Sequence, residues 1–451
     1  MSKSKKSISE FLDDEYRNYA IYVVENRAIP SCIDGLKPSQ RKIVFTANKI
    51  WKTGNEKPMK VFQLAGAVAL NSFYHHGPAS LDSNLVGMAQ SFKNSMPLLN
   101  EIGQFGSLRS TEAPATRYIS TSLSKNFRLL YKDFELLTSR FEEGNEIEPQ
   151  YFLPIIPTVL LNGSSGIAVG FATNILNRNP KDLIEACLAV LENKKVKDLK
   201  PWNKYFSGVY EREDIEGREN SWLIKGFCEV LNTSTVEVKE LPPSMTYEKY
   251  EGYLADLIEK GKISSYEDKS SNTPNYIIKF KREDLASLQK SDKLESLLKL
   301  HERETENLTT LDENGNLKIF QNVQDIVKYF VDFRLTYYLK RKNYLIQKIE
   351  KELKTLSQKA LFIKYILENK ITVQKVSKAN IIEQLIKLKF ETINDSFQYL
   401  LSMPIHSLSI DTYNELLEDV KIKKEELATI KAKDYKEMYK DDLLELKSSI
   451  K

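Results

Sequence analysis

Two stretches in the last third of the chain step through their apolar residues by alternating fours and threes, and this spacing constrains the fold more than any other feature. Leu335, Leu339, Lys342, Ile346, Ile349, Leu353, Leu356, Ala360, Ile363 and Leu367 form one seam with a single polar break. Tyr413, Leu416, Val420, Lys423, Leu427 and Ile430 form a second, which also carries one lysine. A 3.5-residue apolar period gives a helix a stripe too narrow to cover a globular core but well matched to a second helix. The two seams therefore predict a long antiparallel coiled-coil arm over residues 321–369 and 411–451, with residues 370–410 as a small helical knob at its tip.

The whole chain has 451 residues, more than one hydrophobic core usually accommodates, so several domains are expected. Apolar residues make up 41% and charged residues 28%, which excludes collagenous and wholly disordered classes. No apolar run is long enough to span a bilayer, and the basic opening MSKSKKSISEFLDDEY lacks the apolar stretch of a signal peptide. A cytoplasmic location is expected, with no membrane partner. Cys32, Cys187 and Cys228 are widely spaced and form no CxxC pair, so they read as reduced core thiols rather than a disulfide or zinc framework. The net charge of +4 hides an asymmetry: residues 1–130 hold 17 Lys and Arg against 10 Asp and Glu. That excess points to a polyanion partner for this third of the chain.

Within the basic third, Ser7 and Glu10 are spaced as a capping box for a first helix, with Phe11, Tyr16, Tyr19, Ala20 and Val23 in helical register. A second helix is predicted from Lys37-Pro38 to Trp51, with Ile43, Ala47 and Ile50 inward, and a third from Val61 to Asn71. Ser80 is placed to cap a fourth, whose apolar positions are Leu81, Leu85, Met88 and Phe92. Short helices and tight turns in a basic region predict a winged-helix or helix-turn-helix module over residues 1–135. Residues 136–320 mix strand-like runs at Trp222–Val230, Thr235–Val238 and Tyr276–Phe280 with amphipathic helices, an α/β or α+β region. Asn314-Gly315 between apolar flanks predicts a tight hairpin; the calcium-loop reading that Asp312 invites fails for want of later ligands.

The chain has no GxxxxGK[ST] loop, DxD pair or HExxH motif, so neither Walker-type ATP hydrolysis nor a zinc-hydrolase centre is expected. His301 and His406 stand alone, whereas His75 and His76 are adjacent in YHHG, which suits phosphate contact or orientation of a reacting group. The most informative stretch is GQFGSLRSTEAPATRY, residues 103–118. A tyrosine hydroxyl can attack phosphorus to form a phosphotyrosine, and an adjacent guanidinium can stabilise charge building on the phosphoryl oxygens. With 23 tyrosines in the chain, an Arg-Tyr pair alone has little weight; the surrounding motifs supply it.

Those motifs, in order, are ENRAIPSCIDGLKPSQRK (25–42), YHHG (74–77), GQFGS (103–107), ATRYI around Tyr118, and LPIIPTVLLNGSSGIAVGFATNI (153–175). Together they resemble the breakage-reunion part of type IIA DNA topoisomerases. ELPPSMTYEKYEGYLADLIEKGKI, DFRLTYYLKRKNYLI and DYKEMYKDDLLEL extend the resemblance over nearly the whole chain, toward the eukaryotic and phage branch. YHHG follows that branch too, since the bacterial gyrase pattern separates its histidines. Length and content are most like the T-even-type phage enzymes, whose ATPase and metal-binding halves reside on other subunits.

The resemblance implies a multidomain α+β fold: a winged-helix DNA-cleavage domain, an α/β tower domain, and the long coiled coil ending in an exit-gate domain. It implies Tyr118 as the nucleophile that takes a 5′ phosphate of DNA, with Arg117 as its transition-state partner. Arg27, Lys37, His75 and His76 match positions that contact the scissile region and flanking phosphates, and Arg41 and Lys42 are expected to extend that track. Ser80 would cap its helix, contact DNA, or both. Gln40 stands where the bacterial pattern has a histidine, so that role is not assigned. Ile167 matches the residue that wedges between base pairs and bends the DNA; the plain alternative is a buried isoleucine beside a Gly-rich turn. The implied assembly is a homodimer on double-stranded DNA, with Mg2+ and ATP bound by the partner subunits. The rivals are a non-catalytic architectural DNA-binding protein and a tyrosine recombinase. A recombinase places its tyrosine late in the chain, whereas Tyr118 lies in the first third.

Overall fold

The computed structural model, which describes residues 11–54, 57–74, 77–215, 218–393 and 395–450, contains the helices expected in the basic third. Pro38 occupies the first position of helix Pro38–Ile50, where its missing N–H costs nothing. Gln40 reaches back to accept the backbone N–H of Lys37 at 3.0 Å, and Ile43, Val44 and Ala47 are buried. Helices Val61–Asn71 and Pro78–Ala89 pack beside it. Leu81, Leu85 and Met88 face inward as expected, while Phe92 lies beyond the helix end. Ser80 is not the cap. Pro78 fixes the helical φ two residues earlier, so the cap position falls on Gly77. The Ser80 hydroxyl instead accepts from the Tyr74 hydroxyl at 3.1 Å.

The first helix also departs from expectation. Ser7 and Glu10 lie outside the described residues, and Arg17–Val23 is flanked by wider π-helical turns at Phe11–Tyr16 and Val24–Ala28. A wider turn rotates the face presented to the core. Tyr16 and Tyr19 are therefore exposed, and the inward stripe is Val23, Val24, Ala28 and Ile29 against Leu311.

Asp34 organises the segment between these helices. Its buried carboxylate accepts Arg41 Nε at 2.7 Å and Nη2 at 2.9 Å, with the backbone N–H groups of Leu36 and Phe152 at 3.1 and 3.0 Å. Its carbonyl accepts the Thr158 and Tyr131 hydroxyls at 2.6 and 2.9 Å. Gly35 completes the turn at φ +67°, where an added Cβ would stand 2.4 Å from the Val159 nitrogen.

In the middle region the run expected as one strand, Trp222–Val230, divides. Arg218–Lys225 joins Val209–Ile215 and His301–Thr305 in a three-stranded antiparallel sheet. Phe227–Asn232 joins Thr235–Glu240, Tyr276–Lys279 and Ser265–Asp268 in a four-stranded one. The switch falls at Gly226, whose N–H donates to the Leu300 carbonyl at 2.8 Å, one step beyond the Lys225–His301 pair, and where an added Cβ would stand 2.3 Å from the Glu240 carbonyl oxygen. Val236, Val238, Tyr250, Leu254, Tyr276 and Ile278 are among the side chains of the core under the larger sheet. The Asn314-Gly315 hairpin is present between Thr309–Leu311 and Leu317–Ile319, with Asp312 Oδ1 accepting the Asn314 and Asn316 N–H groups. Cys32 and Cys187 are buried and Cys228 is half-buried, and none of the three is in a disulfide; burial pushes the Cys32 thiol up to about 12.

The chain divides into two compact units, Leu335–Asp441 and the remainder. In the Leu335–Asp441 unit, helix Val323–Leu367 runs antiparallel to Ile410–Ala432. Lys423 pairs with Glu352 at 3.0 Å and Lys431 with Glu350 at 2.7 Å. Lys342, the polar break in the first seam, donates to the Lys431 and Lys433 carbonyls at 3.0 and 2.8 Å, capping the end of the returning helix. The seam shifts at its ends: Leu339 and Leu367 are exposed, and buried Tyr338 stacks on Tyr439 with centroids 4.4 Å apart. The returning segment also breaks after Ala432, and a further helix starts at Tyr435. Phe362, Ile371, Leu385, Phe390, Phe397 and Leu400 form the buried centre of the knob. No helix among the described residues is long and apolar enough to cross a membrane.

Gly35→Ala combines an unfavourable positive φ with a backbone collision. It is expected to lower stability by about 2–4 kcal/mol, read as a fall in the urea midpoint at unchanged m-value; an unaltered midpoint contradicts the packing described.

Candidate active site and nucleic-acid interface

Tyr118 ends the turn Thr116–Tyr118, closed by its N–H on the Ala115 carbonyl at 2.9 Å. Its side chain is 65% exposed, an unusual position for a tyrosine with no core to fill. The following residues explain how an exposed side chain is held. Ile119 is buried, and Ser120–Thr121 pairs with Met59–Lys60 and, through Ser120, with Ile102. Lys60 Nζ donates to the Tyr118 carbonyl at 2.9 Å. The Arg117 guanidinium lies over the Tyr118 ring, 4.7 Å from its centroid. Thr116 donates to Asp82 Oδ2 at 2.9 Å, tying the turn to helix Pro78–Ala89. The result is an accessible phenol on a short, anchored segment, with one cationic side chain over its ring and another on its backbone carbonyl. An arriving phosphodiester would meet positive charge there.

A second group of expected residues converges on the hairpin Ser164–Ile167/Ala172–Ile175. Ile167 is 88% exposed, so the buried-core alternative is ruled out. The small residues before it allow a close crossing: a Cβ on Gly166 would stand 2.3 Å from the Ala28 carbonyl oxygen. Lys37 Nζ donates to the Ser165 carbonyl at 2.7 Å, and desolvation lowers its pKa. Arg27, one residue before Ala28, is exposed. The fold thus gathers Arg27, Lys37 and Ile167 around one hairpin. The hairpin's return strand is fixed by paired backbone bonds between Asn174 and Asn307 and by the buried ion pair Arg178–Glu306 at 2.7 Å.

Two expected phosphate contacts are corrected. Arg41 is buried, with its guanidinium on Asp34 and the Leu36 carbonyl; a buried carboxylate demands this partner, so Arg41 faces away from solvent. Lys42 turns inward as well, to the Ser72 carbonyl at 2.6 Å and Glu148 at 3.0 Å. His75 and His76 lie outside the described residues. Ser80 is exposed on the first turn of its helix.

Sequence reasoning missed Lys60, Asp82 and Gln90. Gln90 is buried and donates to the Phe105 and Thr111 carbonyls at 2.6 and 3.2 Å, holding the loop that leads to Tyr118. At the helical period Gln90 falls opposite the Leu81, Leu85 and Met88 stripe, so no local spacing marks it. Nothing in local spacing marks Lys60. The side chains that bear directly on Tyr118 are Lys60, on its carbonyl, and Arg117, over its ring. Among the described residues no group of three His, Cys, Asp or Glu side chains could hold a metal.

Residues 27–445 match the family of the A subunits of DNA gyrase and topoisomerase IV. The chain is similar to the DNA topoisomerase medium subunit of Enterobacteria phage T4, 34% identical over 99% of this chain and 100% of that one. It is also similar to DNA topoisomerase 2 of Plasmodium falciparum, 32% identical over 98% of this chain, and spans about a third of that relative's length (34%). A crystal structure of the Plasmodium falciparum topoisomerase II DNA-binding, cleavage and re-ligation domain superposes with a TM-score of 0.86 at 33% identity, covering 98% of this chain and 64% of that one.

Arg41→Met leaves Asp34 buried without its cation and is expected to cost about 3–5 kcal/mol in urea unfolding, with the salt dependence of DNA binding unchanged. Arg27→Ala is expected to do the reverse: stability holds, and the log–log salt slope becomes shallower by about one counterion. An exchanged pattern would return Arg41 to the DNA surface.

Proposed function

The chain belongs to the type II DNA topoisomerase family, in the part of it that cleaves and rejoins DNA, and on that premise we propose that Tyr118 is the nucleophile. The exposed phenol beside Arg117 and Lys60 carries this reading. Tyr118 Oη bonds to phosphorus and gives up its proton. The 3′ oxygen of the neighbouring nucleotide departs and takes one up, leaving a 5′-phosphotyrosyl bond. The reaction exchanges one phosphoester for another, so rejoining runs by the same steps in reverse without an outside energy source. Arg117 stabilises charge on the phosphoryl oxygens as it develops, and Lys60 holds the Tyr118 backbone.

The Ile167 hairpin is the bending element. An apolar tip entering a base step replaces part of the lost stacking, while Lys37 braces the hairpin and Arg27 contacts backbone phosphate. His75, His76 and Ser80 are proposed to lie along the same duplex. Residues 1–135 act as the winged-helix cleavage domain and 136–320 as the tower that supports the bent DNA. Residues 321–369 with 411–451 form the coiled-coil arm, and 370–410 the dimerising exit gate. Ile405, 88% exposed, and Ile386, 61% exposed, support the gate by offering apolar surface on the knob. A symmetric dimer would cut opposite strands with its two tyrosines and keep the ends joined while another duplex passes.

Magnesium and ATP are proposed to reside on partner subunits, a reading supported by the name of the phage T4 relative, a medium subunit. The assembly would relax or unlink DNA without gyrase-type supercoiling, in the host cytoplasm. The family match and the accessible tyrosine both favour the enzyme over the architectural alternative.

Tyr118→Phe, in the complex reconstituted with its partner subunits, is expected to abolish covalent DNA attachment after denaturation while leaving noncovalent affinity intact. Persistent attachment would refute the assignment. Ile167→Ala is expected to reduce bending of a short duplex, followed by fluorescence energy transfer between its labelled ends; an unchanged bend removes the wedge.

A further inference from the structure

The loop from Gly103 to Tyr118 has a tether that the proposed chemistry does not use. At Leu108 and Arg109 it docks on the N-terminus of helix Tyr247–Glu259 in the middle region. The Tyr247 and Glu248 N–H groups, which have no partners within their own helix, donate to the Leu108 and Arg109 carbonyls at 3.1 and 3.0 Å. Leu108 packs against the core of the larger sheet. The Arg109 side chain then spans two elements: Nη1 donates to Glu251 on the helix at 3.1 Å, and Nη2 to Asp268 on strand Ser265–Asp268 at 3.0 Å. Its guanidinium also lies 5.7 Å from the Tyr247 ring centroid. Although burial pushes Asp268 upward, hydrogen bonds from Ser270 and Arg109 hold it below the usual carboxylate range. Only the exposed and half-exposed stretch 110–117 separates this dock from Tyr118.

We propose that Arg109 is a positioning residue for the cleavage reaction, clamping the tyrosine-bearing loop to the middle region so that the placement of that region sets the placement of Tyr118. An isolated half-exposed ion pair has little value. Here two carboxylates on different elements, two main-chain hydrogen bonds and one apolar anchor act at a single point, which gives the guanidinium a geometric role. The hairpin carrying Ile167 is fixed to the other sheet of the same region through Asn174–Asn307 and Arg178–Glu306. The middle region therefore touches both the wedge hairpin and the loop that leads to Tyr118, while the Tyr118 turn itself is also anchored by Lys60 and Asp82. Near-attack geometry is steep: a misplacement of about 1 Å can cost a hundredfold in rate.

The inference rests on Tyr118 being the nucleophile, and the experiment separates the two. Single-turnover cleavage, DNA affinity with its salt slope, and duplex bending are measured on the reconstituted complex carrying Arg109→Ala, Arg109→Lys, Arg109→Glu, or Arg109→Glu with Glu251→Arg. Arg109→Ala is expected to slow covalent attachment by about ten- to a hundredfold, with affinity, salt slope and bending unchanged. Arg109→Lys should recover part of the rate, and the charge-exchanged pair should outperform Arg109→Glu alone. A wild-type rate in Arg109→Ala overturns the clamp. So does a loss of affinity with a shallower salt slope, which would make Arg109 a phosphate contact, and so does failure of the exchanged pair to improve on Arg109→Glu. Attachment that survives Tyr118→Phe instead overturns the nucleophile assignment, whatever Arg109 does.

Discussion

The interface depends on one buried carboxylate. Asp34 has no exposed surface, and both of its oxygens are engaged, by Arg41 and by two backbone N–H groups. Such a charge is tolerable only when paired and fully hydrogen-bonded. The demand propagates outward. Arg41 must turn in, which fixes the register of helix Pro38–Ile50. Gly35 must turn sharply, because the Thr158–Val159 backbone lies against it. The chain then emerges with Lys37 at the helix start, within reach of the Ser165 carbonyl. The position of the wedge hairpin is thus set by a carboxylate several bonds away that contacts no ligand.

A second buried pair does the same from the other side. Arg178 and Glu306 are almost wholly enclosed, and every arm of Glu306 has a partner: Arg178, the Trp222 indole and the Leu176 N–H. Between these two polar anchors the hairpin projects an isoleucine into solvent. Exposed aliphatic side chains are ordinary when scattered, but one at the tip of a braced hairpin is held there against the tendency to fold back. Placement of that kind supports the proposed entry of Ile167 into a base step.

What could be read from the chain in advance divides by range. Helix starts with a local cause, such as Pro38, were legible, as was the Asn314-Gly315 turn, and the spacing of the two seams marked two long helices. Errors arose where distant residues decide. Arg41 and Lys42 looked like a basic track because their carboxylate partners, Asp34 and Glu148, are assigned to them only by the fold. The strand at 222–230 looked continuous because the Leu300 and Glu240 backbones that meet at Gly226, one from each sheet, lie far along the chain. Ser80 looked like a cap because serine often is one, yet Pro78 had already started the helix. For the candidate site, motif order singled out Tyr118, Arg117 and Ile167, all of which the fold leaves exposed. It could not identify Lys60 or Arg109, whose roles consist of contacts across the tertiary structure.

Local contact also decides how Arg117 would serve the proposed reaction, since it already touches Tyr118. Its guanidinium rests on the face of the Tyr118 ring, a cation–π contact worth about 0.5–1 kcal/mol at an exposed site. A phosphate oxygen offers that cation a charge-assisted, geometrically matched hydrogen bond of roughly twice the strength of a neutral one. The weaker contact can therefore yield to the stronger as phosphate arrives. Until then the ring keeps the guanidinium near the phenol and away from competing carboxylates. Asp82, the acid nearest in the hydrogen-bond network, is engaged by Thr116 rather than by Arg117. A lysine would hold the ring less well and could not present a planar fork to the phosphoryl oxygens. The Arg-Tyr dipeptide thus works as a unit, because adjacency supplies the holding contact that the exposed turn cannot obtain from the core.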